Sequence, residues 1–222
     1  MAGMTSFLRK IWRSAGDAVF PRFCVACKKE GSLLCEPCAN QWQPESRLAL
    51  DPSDVICEHV WSSAYADPIT RELICSWKYY FDASAWEILK KKLGSNFTRV
   101  SDLIARERID AVVPIPLHDE RLCERGFDQA ETLARFVAKQ TKLPCRQLLI
   151  RTRKTGKQAE RTEDERKSEM KDTPFETLQF EIPKRIILID DVWTTGSTAS
   201  AAARVLKAGG AEKIFMYTIA KG

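Results

Sequence analysis

Histidine is scarce in this chain, with only His59 and His118 among 222 residues, and that leaves little from which to build an imidazole metal centre. No apolar run approaches the ~20 residues that a membrane-crossing helix needs. The N-terminus also lacks the uninterrupted apolar core of a secretory signal. These absences point to a cytoplasmic chain with no integral membrane span. Nor is there a large excess of charge of one sign. A net charge of +5 admits anionic ligands or nucleic acid without demanding either. With 44% apolar and 29% charged residues, the composition is that of an ordinary globular protein. The length allows one full core and a small appendage.

Cysteine, by contrast, is plentiful. Of the eight cysteines, four fall as Cys24-x-x-Cys27 and Cys35-x-x-Cys38 with seven residues between the pairs. Each pair can fold as a knuckle that presents two thiolates, and two knuckles complete a closed tetrahedral Zn²⁺ site. A thioredoxin-like redox pair is the competing reading of one Cys-x-x-Cys, but two pairs so close together, outside any strand–helix–strand unit, favour metal. Four ligands leave no open position, so the expected role is structural. Cys57, Cys75, Cys123 and Cys145 are isolated and read as reduced, small hydrophobic residues.

The most informative segment runs from Ile186 to Thr198. Ile186, Ile187, Leu188 and Ile189 read as a parallel strand covered on both faces. At its carboxyl end, where open α/β sheets bind ligands, stand Asp190 and Asp191. Ionised carboxylates only accept hydrogen bonds, which suits the adjacent hydroxyls of a ribose. Thr194, Thr195, Gly196, Ser197 and Thr198 then offer hydroxyls, a close backbone approach and the amides of a beginning helix, where an anion is stabilised. An isolated Asp-Asp pair is usually two solvated side chains. Here the strand, the acid pair, the hydroxyl-rich turn and an Ala-rich helix follow one another without a break.

The remaining chain divides into a head, residues 1–50, and an α/β body, residues 51–222, with hood helices over 51–100 and a core over 101–222. In the head, Phe7, Ile11, Ala15 and Val19 lie on one helical stripe. Such a stripe usually packs on its own domain, though it also fits an anionic membrane surface, which would put the chain peripherally at the inner membrane. Pro44 to Pro52 reads as a polar connector. Strands are expected through Val60–Tyr65, Ile109–Val113, Leu148–Arg151, Arg185–Ile189 and Ile214–Ile219. Helices are expected over Pro68–Tyr79, through Trp86, Leu89 and Leu93, from Asp128 to about Gln140 by capping-box spacing with Glu131, and after Thr198 to Gly209. This alternation implies a parallel sheet with right-handed crossovers. The charge-rich stretch Thr152–Thr173, with Lys154, Lys157, Arg161 and Arg166, reads as a mobile loop or β-arm.

The Asp190–Thr198 segment resembles the 5-phosphoribosyl 1-pyrophosphate (PRPP) motif of type I phosphoribosyltransferases. The cysteine knuckles, the Tyr65-x-Asp67-Pro68 helix leading to Lys78-Tyr79, the Val113-Pro114-Ile115-Pro116 turn and Arg125-Gly126-Phe127-x-Gln129 recur in the order seen in the ComF family, phosphoribosyltransferase-like bacterial proteins associated with DNA uptake in natural competence. Two positions depart from that pattern: Cys123 and Asp128 stand where arginine and asparagine are usual. Near the loop, Glu169 likewise replaces an asparagine.

The resemblance implies a type I phosphoribosyltransferase-like parallel sheet flanked by helices, with a zinc-ribbon-like head. It also implies that Asp190 and Asp191 orient the ribose, that Thr194 to Thr198 hold its 5-phosphate, and that Mg²⁺ arrives with PRPP. Arg121 and Arg125 are the candidates for the pyrophosphate, since guanidinium forks match phosphate oxygens. No residue stands out as a base for an acceptor; His118 is the nearest candidate, and a lone histidine is more often structural. Three functions fit: a phosphoribosyltransferase with an unknown acceptor, a handler of single-stranded DNA working with other competence-machinery proteins, or a PRPP-sensing regulator.

Overall fold

The computed structural model describes residues 21–51, 54–80, 82–95, 97–152, 173–178 and 181–222. The expected helix over Met4–Val19 and the basic stretch 153–172 lie outside the described residues. The head begins in two knuckles, the second of which opens α1 (Glu36–Gln41), and leads to β1 (Arg47–Leu50) and β2 (Glu58–Ala64). Three helices follow: α2 (Pro68–Tyr79), α3 (Ala83–Ser95) and α4 (Thr98–Glu107). Then come β3 (Ala111–Pro114), α5 (Asp119–Arg125), α6 (Gln129–Thr141), and the short pair β4 (Leu149–Arg151) and β5 (Phe175–Thr177). The chain closes with β6 (Arg185–Trp193), α7 (Ser197–Ala208) and β7 (Lys213–Lys221).

The main sheet has the order β1-β2-β7-β6-β3. Its β2, β7, β6 and β3 run parallel, as the alternation predicts, but β1 pairs antiparallel with β2, so the sheet is not purely parallel. The residues read as a polar connector therefore contain an edge strand, and an edge with one mixed face carries little periodicity to betray it. The stretch 51–100 gives the sheet β2 as well as giving the body its helices.

Ile186 to Ile189 are buried completely because helices cover both sides of the sheet. Ile187 and Ile189 pack with Leu73, Ile74 and Trp77 of α2 and Leu133 and Val137 of α6. Ile186 and Leu188 face the other way, toward Ala202, Ala203 and Leu206 of α7 and Phe175 of β5. The alanines let α7 lie close to the sheet, and their spacing of three and four residues keeps them on one stripe.

Chain connectivity reverses beside β6. From β3 the chain moves outward to a bridge between Val112 and Cys145, then returns to place β6 on the opposite side of β3. The crevice at the carboxyl ends of β3 and β6 is thus the switch point at which such sheets bind ligands.

Candidate functional site

The turn after β6 is shaped by Gly196. Its φ of +76° is a left-handed conformation, and it caps the start of α7. A β-carbon there would overlap the Trp193 ring. Asp190, Trp193 and Thr194 to Ala199 enclose a pocket of about 40 Å³, too small to take in a whole phosphate group and its sugar. Thr194, Thr195 and Ser197 are exposed there, and the Thr195 and Ser197 hydroxyls lie 3.0 Å apart. Gly196→Ala should therefore empty the cradle of phosphate-binding capacity and destabilise the fold by about 2 to 4 kcal/mol, from left-handed strain plus overpacking. Chemical denaturation and phosphate titration of the variant check both effects.

Behind the turn, Trp193 rests on His59 with ring centroids 4.5 Å apart, and His59 meets Trp61 at 5.1 Å. The single proton of the Thr218 hydroxyl goes to the Ala220 carbonyl at 3.1 Å, so His59 Nε2 donates to Thr218 Oγ1 at 2.9 Å. Burial, with the Lys221 charge adding to it, lowers the His59 pKa to about 3. This histidine is a neutral prop beneath the cradle. His118 is also structural, because its Nδ1 accepts from the Glu120 amide and caps α5.

The acid pair divides. Asp191 is buried and forms an ion pair with Lys78 of α2, Nζ to Oδ1 2.7 Å. Asp190 lines the cradle pocket and accepts from the Asp191 amide at 2.8 Å. Burial, with the Asp191 charge adding to it, raises the Asp190 carboxyl to about 8, although the ammonium of Lys78 pulls the other way. Among the residues that influence Asp190 electrostatically is Asp128, and Asp190 in turn holds up the pKa of Arg151, which burial and Arg121 lower. The charges of Arg121 and Asp190 thus both reach Arg151. Arg125 instead lies over the Tyr79 ring at 5.2 Å and donates to Gln129 Oε1 at 3.1 Å.

Two of these residues carry no assigned role in the sequence reading. Lys78 is quoted there only as part of a motif, and its pairing across the fold leaves no local signal. Arg151 ends a three-residue strand, and nothing in its neighbourhood separates it from any other surface arginine. Asp128, one of the departures from the family pattern, has a clear task. One oxygen caps α6 by accepting from the Glu131 amide at 3.0 Å, while the other accepts from Leu117 at 2.9 Å and fixes the loop after β3. An asparagine would offer one acceptor oxygen where two amides donate.

The sulfur atoms of Cys24, Cys27, Cys35 and Cys38 all lie within 4.8 Å of one another. Cys27 and Cys35 approach to 3.6 Å, close to the roughly 3.8 Å edge that follows from Zn–S bonds of ~2.3 Å in a tetrahedron. The donor set fits a structural zinc ion. Burial tends to raise the Cys24 thiol, but amides of Cys27, Cys35 and Ala26 bring it down to about 6. The Cys38 thiol is pushed up to about 12, first by its contact with Cys35. The cluster thus favours a thiolate at Cys24 while opposing one at Cys38, the conflict that a dication in the middle removes. Cys24, Leu34 and Trp42 belong to the same core as α2 and α3, and Trp42 donates to Asp67 Oδ1 at 3.2 Å. Among the described residues, these four cysteines are the one group of three or more His, Cys, Asp or Glu side chains within ligating reach of each other. Among the described residues no comparable set surrounds the cradle for Mg²⁺, and Oδ1 of Asp191 is committed to Lys78.

No family model matches the chain. Competence protein ComFC of Bacillus subtilis is 29% identical over 210 residues, 93% of this chain and 81% of that protein. Competence protein F of Haemophilus influenzae is 29% identical over 115 residues, half of each chain. DNA utilization protein YhgH of Escherichia coli K12 is 29% identical over 118 residues, 50% of this chain and 49% of that protein. A solved allosteric regulatory enzyme of purine biosynthesis overlaps 59% of this chain and 25% of its own at 18% identity, with a TM-score of 0.39.

Proposed function

From its homology to ComFC and competence protein F, we propose that this chain is a PRPP-binding, phosphoribosyltransferase-type protein that supports DNA uptake in the cytoplasm. The observation that carries this reading is the meeting of Asp190 with the Thr194–Thr198 cradle in one pocket at the switch point of the sheet. The start of α7 and the hydroxyl side chains of Thr194, Thr195, Ser197 and Thr198 bind the 5-phosphate, Asp190 accepts from a sugar hydroxyl, and Arg121 and Arg151 attract the pyrophosphate end. Mg²⁺ belongs to the ligand in this reading, held by pyrophosphate oxygens, as a hard cation prefers. Transfer would break the bond from C1 to the pyrophosphate oxygen, with pyrophosphate taking the electron pair and an acceptor nitrogen or oxygen bonding to C1. Zn²⁺ on Cys24, Cys27, Cys35 and Cys38 keeps the head in place and takes no part in that step. A cytoplasmic setting agrees with eight cysteines that form no disulfide. No helix among the described residues is long and apolar enough to cross a membrane, so attachment at the inner membrane would be peripheral or through a protein partner.

Titration calorimetry with PRPP and Mg²⁺ tests the binding step. Titrated above pH 8, where the Asp190 carboxyl gives up its proton, Asp190→Asn should weaken binding by about tenfold or more, the effect of losing a charged acceptor. Unchanged affinity would remove the sugar site from that pocket. A pyrophosphate-release assay with bases, nucleotides and single-stranded DNA as acceptors then decides turnover, where release with one acceptor alone identifies the substrate.

A further inference from the structure

A groove of about 640 Å³ opens between α3 and α6, and it shares no residue with the pocket of the cradle. Ile88, Gly94 and Phe136 give it an apolar recess, and Lys90, Lys91 and Lys139 surround that recess. The recess is held in shape, because the Phe136 ring meets Trp86 and Phe97 edge-on, with centroids 5.9 Å away in each case. Gly94 adds room beside that ring. It is helical and lacks the positive φ of a glycine that stops a helix. A β-carbon there would meet only Phe136 Cζ, at 4.0 Å. Neither strain nor crowding therefore calls for this poor helix former, and the space it leaves opens into the groove.

Charge selects the occupant. Glu87 is the one acid in the lining, and it is paired with Lys90 at 2.6 Å. Lys91 and Lys139 are exposed and form no ion pair among the described residues. We propose that the groove docks an acidic segment of a partner protein, with a bulky apolar side chain entering beside Gly94 against Phe136 and flanking carboxylates meeting Lys91 and Lys139. One apolar anchor ringed by complementary charge is a common way for a short segment to gain both affinity and orientation. A nucleic acid strand asks for a basic track along several nucleotides and is best served by arginine forks. Here the basic groups gather around a single recess, none of them is an arginine, and a carboxylate stands among them.

Selection of short random peptides on the whole wild-type protein tests this, since the sequences that emerge report the chemistry the groove prefers. Enriched peptides should carry phenylalanine, tryptophan or leucine flanked by aspartate or glutamate, and a labelled one should bind in fluorescence anisotropy. Lys91→Glu combined with Lys139→Glu should weaken that peptide by about tenfold or more, because like charges then face its carboxylates. Gly94→Leu should weaken it to a similar degree by filling the recess, in a protein that still folds because leucine is the better helix former. Failure to enrich any peptide, enrichment without acidic residues, or affinity that survives both variants overturns the proposal. A labelled oligothymidylate, titrated alongside, should respond equally to the wild type and the double lysine variant. A loss confined to the oligothymidylate would assign the groove to nucleic acid and overturn the proposal as well.

Discussion

Removing either partner of the Lys78–Asp191 pair is expected to destabilise the protein by about 3 to 5 kcal/mol, because the survivor is left as a buried charge without a counterion. Lys78→Met and Asp191→Asn should each show this loss in chemical denaturation. Lys78→Met combined with Asp191→Leu should cost far less than the sum, since a well-packed apolar pair replaces the ion pair. Additive losses would mean that the two side chains do not act as a unit. Asp190→Asn should behave in the opposite sense. The folded carboxyl of Asp190 is raised from 3.8 to about 8, so the folded state holds its proton longer than the unfolded state does. Wild-type stability should therefore fall as pH rises through that window. The asparagine variant, which stays neutral, should lack this component and match or exceed the wild type near pH 8.

Those opposite expectations for adjacent aspartates show where sequence reasoning reaches its limit. That an acid pair follows a buried strand is legible in the residues, because strand burial, turn chemistry and the helix start are all local patterns. Which acid lines the pocket and which is tied up in an ion pair depends on a lysine more than a hundred positions earlier, brought to Asp191 by the packing of α2 on the sheet. Arg125 and Arg121 illustrate the same limit. Both lie on α5, but one lies over Tyr79 while the charge of the other reaches Arg151. Side-chain direction on so short a helix is set by its neighbours and leaves no trace in spacing.

Much of the fold follows from local signals. Asp67 caps α2 by accepting from the Thr70 amide at 2.6 Å, with Pro68 next, and the helix occupies Pro68–Tyr79 as its apolar spacing predicts. The strands of the core also stand where their apolar runs place them. By contrast, α4 is preceded by Phe97, whose side chain makes no capping bond, and followed by Arg108 in the left-handed conformation without a glycine. A helix with neither start nor stop signal shows itself only through Val100, Leu103 and Ile104 packing into the core. β5 has just three residues and needs β4 beside it to be a strand at all.

The four-cysteine head is the case in which local spacing and long-range packing agree, and it gives the second large effect. Cys24 is completely buried in the core that also holds Leu34, Trp42 and α2. Losing the metal would therefore disturb the body as well as the head. The wild type should purify with about one zinc ion per chain, and Cys24→Ser and Cys38→Ser without it. Each should lose about 4 kcal/mol or more, the range reached when a structural metal is lost. For a chain of this size that corresponds to a fall in Tm of about 8 to 16 °C. Chelation of the wild type should produce a similar fall, reversed by added Zn²⁺. The exposed Cys123 is outside the cluster, so Cys123→Ser should keep both zinc and Tm. Elemental analysis and calorimetry on the same samples separate the possibilities: wild-type protein that is free of metal yet melts at the zinc-loaded temperature would show that the knuckles hold together by packing and hydrogen bonds alone.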